Sequence, residues 1–195
     1  MEEKNITEQE SLAIIQGMIA KTKQHLNDRS KFFFLWGFAV LVCSIAQYVM
    51  LKKQMINTQQ VWIAMPIIAI IHIMIAVKDS KTKQLKTHND MAIQSLWTAL
   101  GISFFLLAFL SFRISFNIFP FLILFYGIGT YVTGKIIQFR PLIIGGIACF
   151  ILSILITYIT GPEQLLILAL SVVVSYIIPG ILLKREFRNK QNNSL

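Results

Sequence analysis

Six long apolar segments, separated by short polar or basic stretches, occupy the chain from residue 32 onwards. Each approaches or reaches the roughly 20 residues that an α-helix needs to cross the hydrocarbon core of a bilayer. The pattern therefore predicts an all-α, polytopic membrane helix bundle with six transmembrane helices in residues 32–183. The predicted spans cover about residues 32–51, 61–77, 91–112, 116–134, 141–160 and 163–183.

Residues 1–31 form a polar head that contains one periodic element. Thr7 precedes Glu10 by three residues, which is the spacing of a capping box at a helix start. Behind it, apolar residues recur at helical spacing, namely Leu12, Ile15, Met18, Ile19 and Leu26. We therefore predict a cytosolic amphipathic helix over residues 7–26. Its apolar face could bind a cytosolic protein partner, lie in the lipid headgroup region, or pack on the inner end of the bundle.

The composition supports lipid as the surrounding medium. Hydrophobic residues make up 55% of the chain and charged residues 14%, whereas globular proteins carry about 25% charged residues. The first apolar run begins at Phe32, behind a polar stretch and without a small-residue cleavage site after it. It is therefore predicted to be an uncleaved membrane helix rather than a secretory signal.

The formal net charge of +9 would suggest nucleic acid in a soluble protein. Here the basic residues lie between apolar runs, so they predict orientation and no nucleic-acid partner. Fifteen of the 18 lysines and arginines lie on the side of the two termini, and only Lys52, Lys53 and Arg113 lie on the other. The positive-inside rule then predicts a multi-pass protein of the cytoplasmic (inner) membrane, with both termini and a basic tail over residues 184–195 in the cytosol.

Small residues are expected where helices approach closely in lipid, because hydrophobicity does not drive helices together there. The first, third and fifth spans each carry small or weakly polar residues at four-residue spacing, and the fourth span carries glycines. The sequence predicts that the following positions are helix-packing contacts: Ala39, Cys43, Ser95, Ala99, Ser103, Gly127, Gly134, Gly145, Cys149 and Ser153. A homo-oligomer is compatible with the same stripes.

His72 is the one ionisable His, Asp, Glu, Lys or Arg well inside a predicted span, which makes it a candidate intramembrane polar site. The alternative is a neutral histidine that is hydrogen-bonded to a neighbouring helix. A proton pathway would also need carboxylates, and none lies inside the apolar runs. Cys43, Cys149 and His72 are residue types that bind zinc, but they lack paired spacing and a fourth ligand. We therefore predict no metal, cofactor or catalytic residue, and no enzyme.

Two stretches carry a resemblance that covers most of the chain. They are ITEQESLAIIQGMIAK over residues 6–21 and LFYGIGTYVTGKIIQFRPLIIGG over residues 124–146. They resemble a group of small uncharacterised multi-span membrane proteins of Bacteroidota, for which no activity is established. Members of such groups often sit beside winged-helix regulators, so the resemblance implies a signalling or envelope-stress context.

These observations predict an integral membrane protein that is not an enzyme. We expect it to bind a partner protein or anionic lipid at its cytosolic face, in a signalling or regulatory role. The alternative is a small transporter or channel subunit, in which polar stripes from several helices would line one aqueous path.

Overall fold

The computed structural model describes residues 9, 12, 14–19, 30–80 and 88–192, which are helical apart from short turns and contain no strand. Six helical segments in this part of the chain are long and apolar enough to cross a membrane. The predicted all-α membrane bundle is therefore confirmed. Its helices are α1 (Ser30–Lys52), α2 (Ala64–Ser80), α3 (His88–Arg113), α4 (Phe119–Ile136), α5 (Arg140–Leu155), α6 (Gln164–Val172) and α7 (Ile178–Asn192).

Several helix starts coincide with a proline, whose fixed backbone suits the first helical turn. Pro66 is the third residue of α2, and Pro120 and Pro141 are the second residues of α4 and α5. The predicted second span began at about residue 61. The segment that is apolar enough to cross a membrane begins slightly earlier, at Thr58, as a 3-10 helix over Thr58–Ile63 that leads into α2 at Ala64. The short α5 likewise ends in a 3-10 turn at Ile156–Tyr158.

The sixth span consists of α6, a π-helical turn at Val173–Ile177, and α7. The N–H of Ile178 bonds to the carbonyl of Val173, five residues back, rather than four. Pro179 accounts for this widening, because it has no N–H and its ring crowds the preceding turn. The basic tail predicted over residues 184–195 is helical as far as Asn192, where α7 ends, because the residues after Gly180 include no further helix breaker.

The helices α1 and α4 end in the same type of cap. After α4, the N–H of Phe139 bonds to the carbonyl of Gly134 and the N–H of Gln138 bonds to that of Lys135. After α1, Met55 and Gln54 bond to Met50 and Leu51 in the same pattern. This is the Schellman motif, in which the residue after the helix adopts a left-handed conformation. Glutamine takes that position in both caps, at φ angles of +53°.

The sixth span forms the centre of the bundle and packs against α1, α4 and α5, while α4 and α5 form the most extensive helix pair. The helix α2 packs chiefly along α1, and α3 chiefly along α4, so both are peripheral and expose most of their apolar surface. Aromatic rings from α1, α3, α4 and the π turn meet between these helices. This aromatic cluster consists of Phe33, Trp97, Phe104, Tyr126 and Tyr176.

The bundle has two different ends. The basic end carries the α4–α5 connection, the last turn of α2 and the polar part of α7, and the turn end carries the α1–α2, α3–α4 and α5–α6 connections. The predicted capping pair Thr7 and Glu10, the lysines of residues 81–87 and residues 20–29 lie outside the described residues. Which end faces the cytosol stays a prediction.

Candidate functional site

The predicted polar site at His72 lies between α2 and α1. The indole Nε1–H of Trp36 donates a hydrogen bond of 3.0 Å to Nδ1 of His72. An indole can only donate, so Nδ1 is the unprotonated nitrogen and the imidazole in this contact is neutral. The contact corresponds to the second alternative considered for His72, a histidine hydrogen-bonded to a neighbouring helix. A further role for His72 stays a prediction.

A second hydrogen bond from an indole joins α1 to the 3-10 helix that precedes α2, near the turn end. Trp62, in the 3-10 helix before α2, donates its Nε1–H to Oε1 of Gln47 in α1 at 2.6 Å. The two bonds run in opposite directions, because Trp36 donates from α1 and Trp62 donates to α1. Together they fasten α2 and its leading turn to α1. Sequence analysis did not identify these pairs, although an indole N–H in an apolar span signals that a partner is needed.

The two cysteines and His72 do not come together. Cys43 Sγ lies 3.5 Å from the carbonyl oxygen of Val61, and Cys149 Sγ lies 3.6 Å from that of Ser171. Both cysteines are buried and unpaired as thiols. Among the residues that the structure describes, no group of three His, Cys, Asp or Glu side chains could hold a metal ion. The arrangement around each thiol is that of a small packing residue.

Three hydroxyl groups in the middle of the bundle are fully buried and donate hydrogen bonds to the backbone within their own spans. Thr130 donates to the carbonyl of Tyr126, Ser171 to that of Leu168, and Ser175 to that of Ser171, each at 2.7 Å. Thr133 differs, because it accepts the indole N–H of Trp97 from α3 at 3.1 Å. These contacts satisfy buried polar groups and leave the hydroxyls packed between helices.

Glycines allow α4 and α5 to approach backbone to backbone. A Cβ atom on Gly134 would lie 2.8 Å from the amide nitrogen of Ile143, and one on Gly146 would lie 2.7 Å from that of Tyr131. A Cβ on Gly127 would lie 2.7 Å from the ring of Phe150. Gly145 faces the other way, onto the π turn, where its Cβ would lie 2.7 Å from the carbonyl oxygen of Val174.

The remaining predicted packing residues of α1 and α5 are buried or half-buried. Cys43 and Cys149 are buried, whereas Ala39 and Ser153 are half-buried. The hydroxyl of Ser153 donates to the carbonyl of Phe150 at 2.8 Å, within α5.

The packing stripe predicted for α3 is wrong within one copy of the chain. Ser95 and Ala99 are exposed and Ser103 is half-buried. The buried face of α3 instead carries Ile93, Leu100 and Leu107. Large side chains form this contact because α4 supplies the small partner. A Cβ on Gly129 would lie 2.8 Å from both the Leu100 side chain and the Trp97 ring.

The two ends differ in how their charges are arranged. At the turn end, Lys52 Nζ lies 2.7 Å from Glu163 Oε1, which ties the end of α1 to the connection before α6. At the basic end, the following cations are exposed: Lys78, Lys135, Arg140, Lys184, Arg185 and Arg188. None of these six forms an ion pair in the part of the chain that the structure covers.

No protein-family model, curated protein or solved structure matches this chain. The resemblance to membrane proteins of Bacteroidota therefore stays a prediction, and function has to be argued from the molecule alone.

Proposed function

We propose that this chain is a non-enzymatic membrane protein with a signalling or regulatory role, and that its N-terminal helical segment binds a partner protein on the cytosolic side. One observation carries the proposal. Leu12, Ile14 and Ile15 expose 57%, 53% and 52% of their surface, and described residues 14–19 of this segment are helical. No described atom lies within 4 Å of a Cβ built on Gly17.

This exposure bears on the three alternatives for the apolar face of the segment. Packing on the bundle would bury this face, but Leu12 and Ile15 are more than half exposed, and Met18 and Ile19 are half-buried. Charge gives the segment no net attraction to an anionic membrane surface, because residues 7–26 carry two glutamates, Glu8 and Glu10, and two lysines, Lys21 and Lys23. A protein groove that takes an amphipathic helix accommodates both the apolar face and charges of both signs beside it.

The transporter alternative has less support from the described residues. Three hydroxyls that are candidates for lining an aqueous path, those of Thr130, Ser171 and Ser175, are fully buried and donate to backbone carbonyls of their own spans. A cavity of about 340 Å³ lies at the turn end and is lined by residues 57–60, outside the bundle interior.

Site-specific photocrosslinking in native membranes tests the proposal. A photoreactive amino acid at Ile15 should capture a discrete protein adduct, whereas one at Gly17, about 160° away around the helix, should capture at least fivefold less. Leu12→Asp with Ile15→Asp should abolish co-purification of that protein, and the matched control Gly17→Asp, at an exposed position, should preserve it. Equal crosslinking from both positions, or adducts to lipid alone, would overturn the proposal.

A further inference from the structure

The connection between α4 and α5 is a defined structure that carries a cation on each side. Residues 137–139 link the helices, and the Schellman bonds from Phe139 to Gly134 and from Gln138 to Lys135 are 2.9 and 3.3 Å long. Lys135 lies in the last turn of α4, and Arg140 is the first residue of α5. The turn therefore holds a lysine and an arginine close to one another in sequence and space.

Two residues of this turn belong to a buried apolar cluster, which also includes a residue of α7. The cluster consists of Ile93, Ile137, Phe139, Leu142 and Leu183, each at most 7% exposed. Leu183 belongs to α7 and is followed directly by Lys184. Three cations, Lys135, Arg140 and Lys184, are thus carried by residues next to one packed cluster. Packing of this kind holds the supporting backbone in place and lowers the cost of ordering a ligand there.

These three side chains have no acidic partner in the described part of the chain. All three are exposed, and none forms an ion pair within the described ranges. The two acidic side chains described at this end, Asp90 and Glu186, have contacts of their own. Lys135 Nζ lies over the Tyr131 ring, 5.8 Å from its centre, and the Lys135 side chain is exposed. Lys52 at the turn end, by contrast, forms an ion pair with Glu163.

We propose that Lys135, Arg140 and Lys184 form a binding site for the phosphate headgroup of an anionic phospholipid. Each of the three cations lies at or next to the end of a membrane-spanning segment, so we place them at the depth of the headgroups. The guanidinium of an arginine can donate hydrogen bonds to two phosphate oxygens at once, and each lysine adds one positive charge. A zwitterionic headgroup carries its own ammonium, so it gains less from the site. This inference goes beyond partner binding and does not depend on the N-terminal segment.

The test uses the full chain, purified in detergent and stripped of lipid. Native mass spectrometry counts bound lipid during titration with phosphatidylglycerol, with phosphatidylcholine, or with phosphatidylglycerol plus excess inorganic phosphate. We expect phosphatidylglycerol to bind at least tenfold more tightly than phosphatidylcholine, because each basic residue near an anionic headgroup contributes roughly fivefold. Inorganic phosphate should not compete at millimolar concentration if the site binds lipid rather than a soluble anion.

Matched charge variants separate this site from general attraction. Lys135→Gln with Arg140→Gln should weaken phosphatidylglycerol binding at least tenfold, and adding Lys184→Gln should weaken it further. Lys53→Gln with Arg113→Gln removes one lysine and one arginine at the turn end and should change binding less than twofold. Lys135→Arg with Arg140→Lys keeps both charges and should retain binding within threefold.

Three results would overturn the inference: an equal loss in both charge-removing pairs, no preference for phosphatidylglycerol, or full competition by inorganic phosphate. All the substituted side chains are exposed. We therefore expect every variant to have the same thermal unfolding temperature as the parent chain when lipid is absent. If the glutamine pair did lower it, loss of binding in the charge-keeping pair would equally overturn the inference. The N-terminal variant Leu12→Asp with Ile15→Asp should bind lipid normally.

Discussion

At Gly145 the backbone of the sixth span comes close to α5. The carbonyl of Val174 and the Cα of Ser175 lie 2.7 and 3.3 Å from the place where a side chain would begin. The π turn that Pro179 imposes pushes this backbone outward, and only a residue without a Cβ can face it. The widened turn and the glycine therefore belong together, although 28 or more residues separate them in the chain.

Gly145→Ala should destabilise the bundle by about 1–3 kcal/mol, because overpacking of a closely fitted core costs that much. Gly101→Ala is the matched control. A Cβ there meets nothing within 4 Å, so the change should be neutral or stabilise α3 by up to about 1 kcal/mol. Unfolding in detergent, followed by tryptophan fluorescence, measures both. Equal stability of the two variants would contradict the close contact.

Residue-level features were predictable only in part. Gly127, Gly134 and Gly145 are small residues in apolar helices, and that property alone identified them as contacts. The helix caps at Gln54 and Gln138 could not be predicted, since the left-handed position usually holds glycine or asparagine. Ser95 and Ala99 failed for a related reason: a small side chain permits close approach, but whether a helix approaches there depends on the partner's shape.

At the scale of elements, α2 depends on few contacts. It packs chiefly along α1, and two indole hydrogen bonds join it and its leading turn to that helix. In lipid, apolar surface gives no preference for a protein neighbour over a lipid one, so polar contacts and shape decide whether such a helix stays docked. The pairs Trp36–His72 and Gln47–Trp62 are therefore the specific attachments of α2.

A double-mutant cycle with Gln47→Leu and Trp62→Phe should give a coupling free energy of about 0.6–1.7 kcal/mol, the range known for interhelical hydrogen bonds in membranes. Steric trapping in bicelles supplies the unfolding free energies. Gln60→Leu, at an exposed position of the same turn, should show no coupling to Trp62→Phe. A coupling near zero in the first cycle would mean that the short contact does not hold α2.

The existence of the helices was predictable from apolar length, and several of their starts from proline. Pro66, Pro120 and Pro141 all occupy first turns. The π turn before Pro179 could not be predicted, because a proline inside an apolar run fits a kink, a break or a widened turn equally well. The extension of α7 to Asn192 was not predicted, because residues 184–195 were described only as a basic tail, although lysine, arginine and glutamate are good helix formers.

For the whole molecule, the sequence predicted six spans but not their arrangement. A helix that is apolar on all sides gives no direction to its contact face, so the central place of the sixth span could not be derived. The asymmetry of charge, by contrast, was readable from the connections. It places the α4–α5 connection and α7 at one end and the pair Lys52–Glu163 at the other.

Cysteine labelling tests the predicted orientation of these two ends. Ile56, 85% exposed at the turn end, and Asn189, exposed in α7, are replaced by cysteine one at a time. A membrane-impermeant maleimide should label Ile56→Cys in intact cells and Asn189→Cys only after permeabilisation. The native cysteines are buried, so background should be low. The reverse pattern would invert the orientation, and labelling of both in intact cells would contradict an even number of spans.

The partnership between α1 and the sixth span has a consequence for biosynthesis. Lys52 and Glu163 are 111 residues apart, and at about 5–20 residues per second a ribosome needs roughly 6–20 s to make that stretch. During this interval α1 is already in the bilayer without its main neighbour, so either lipid or an insertase must shield its packing face. A nascent chain that stops after α5 lacks the segment around which the others gather. Quality-control proteases in the membrane should therefore meet such truncated chains as unassembled helices.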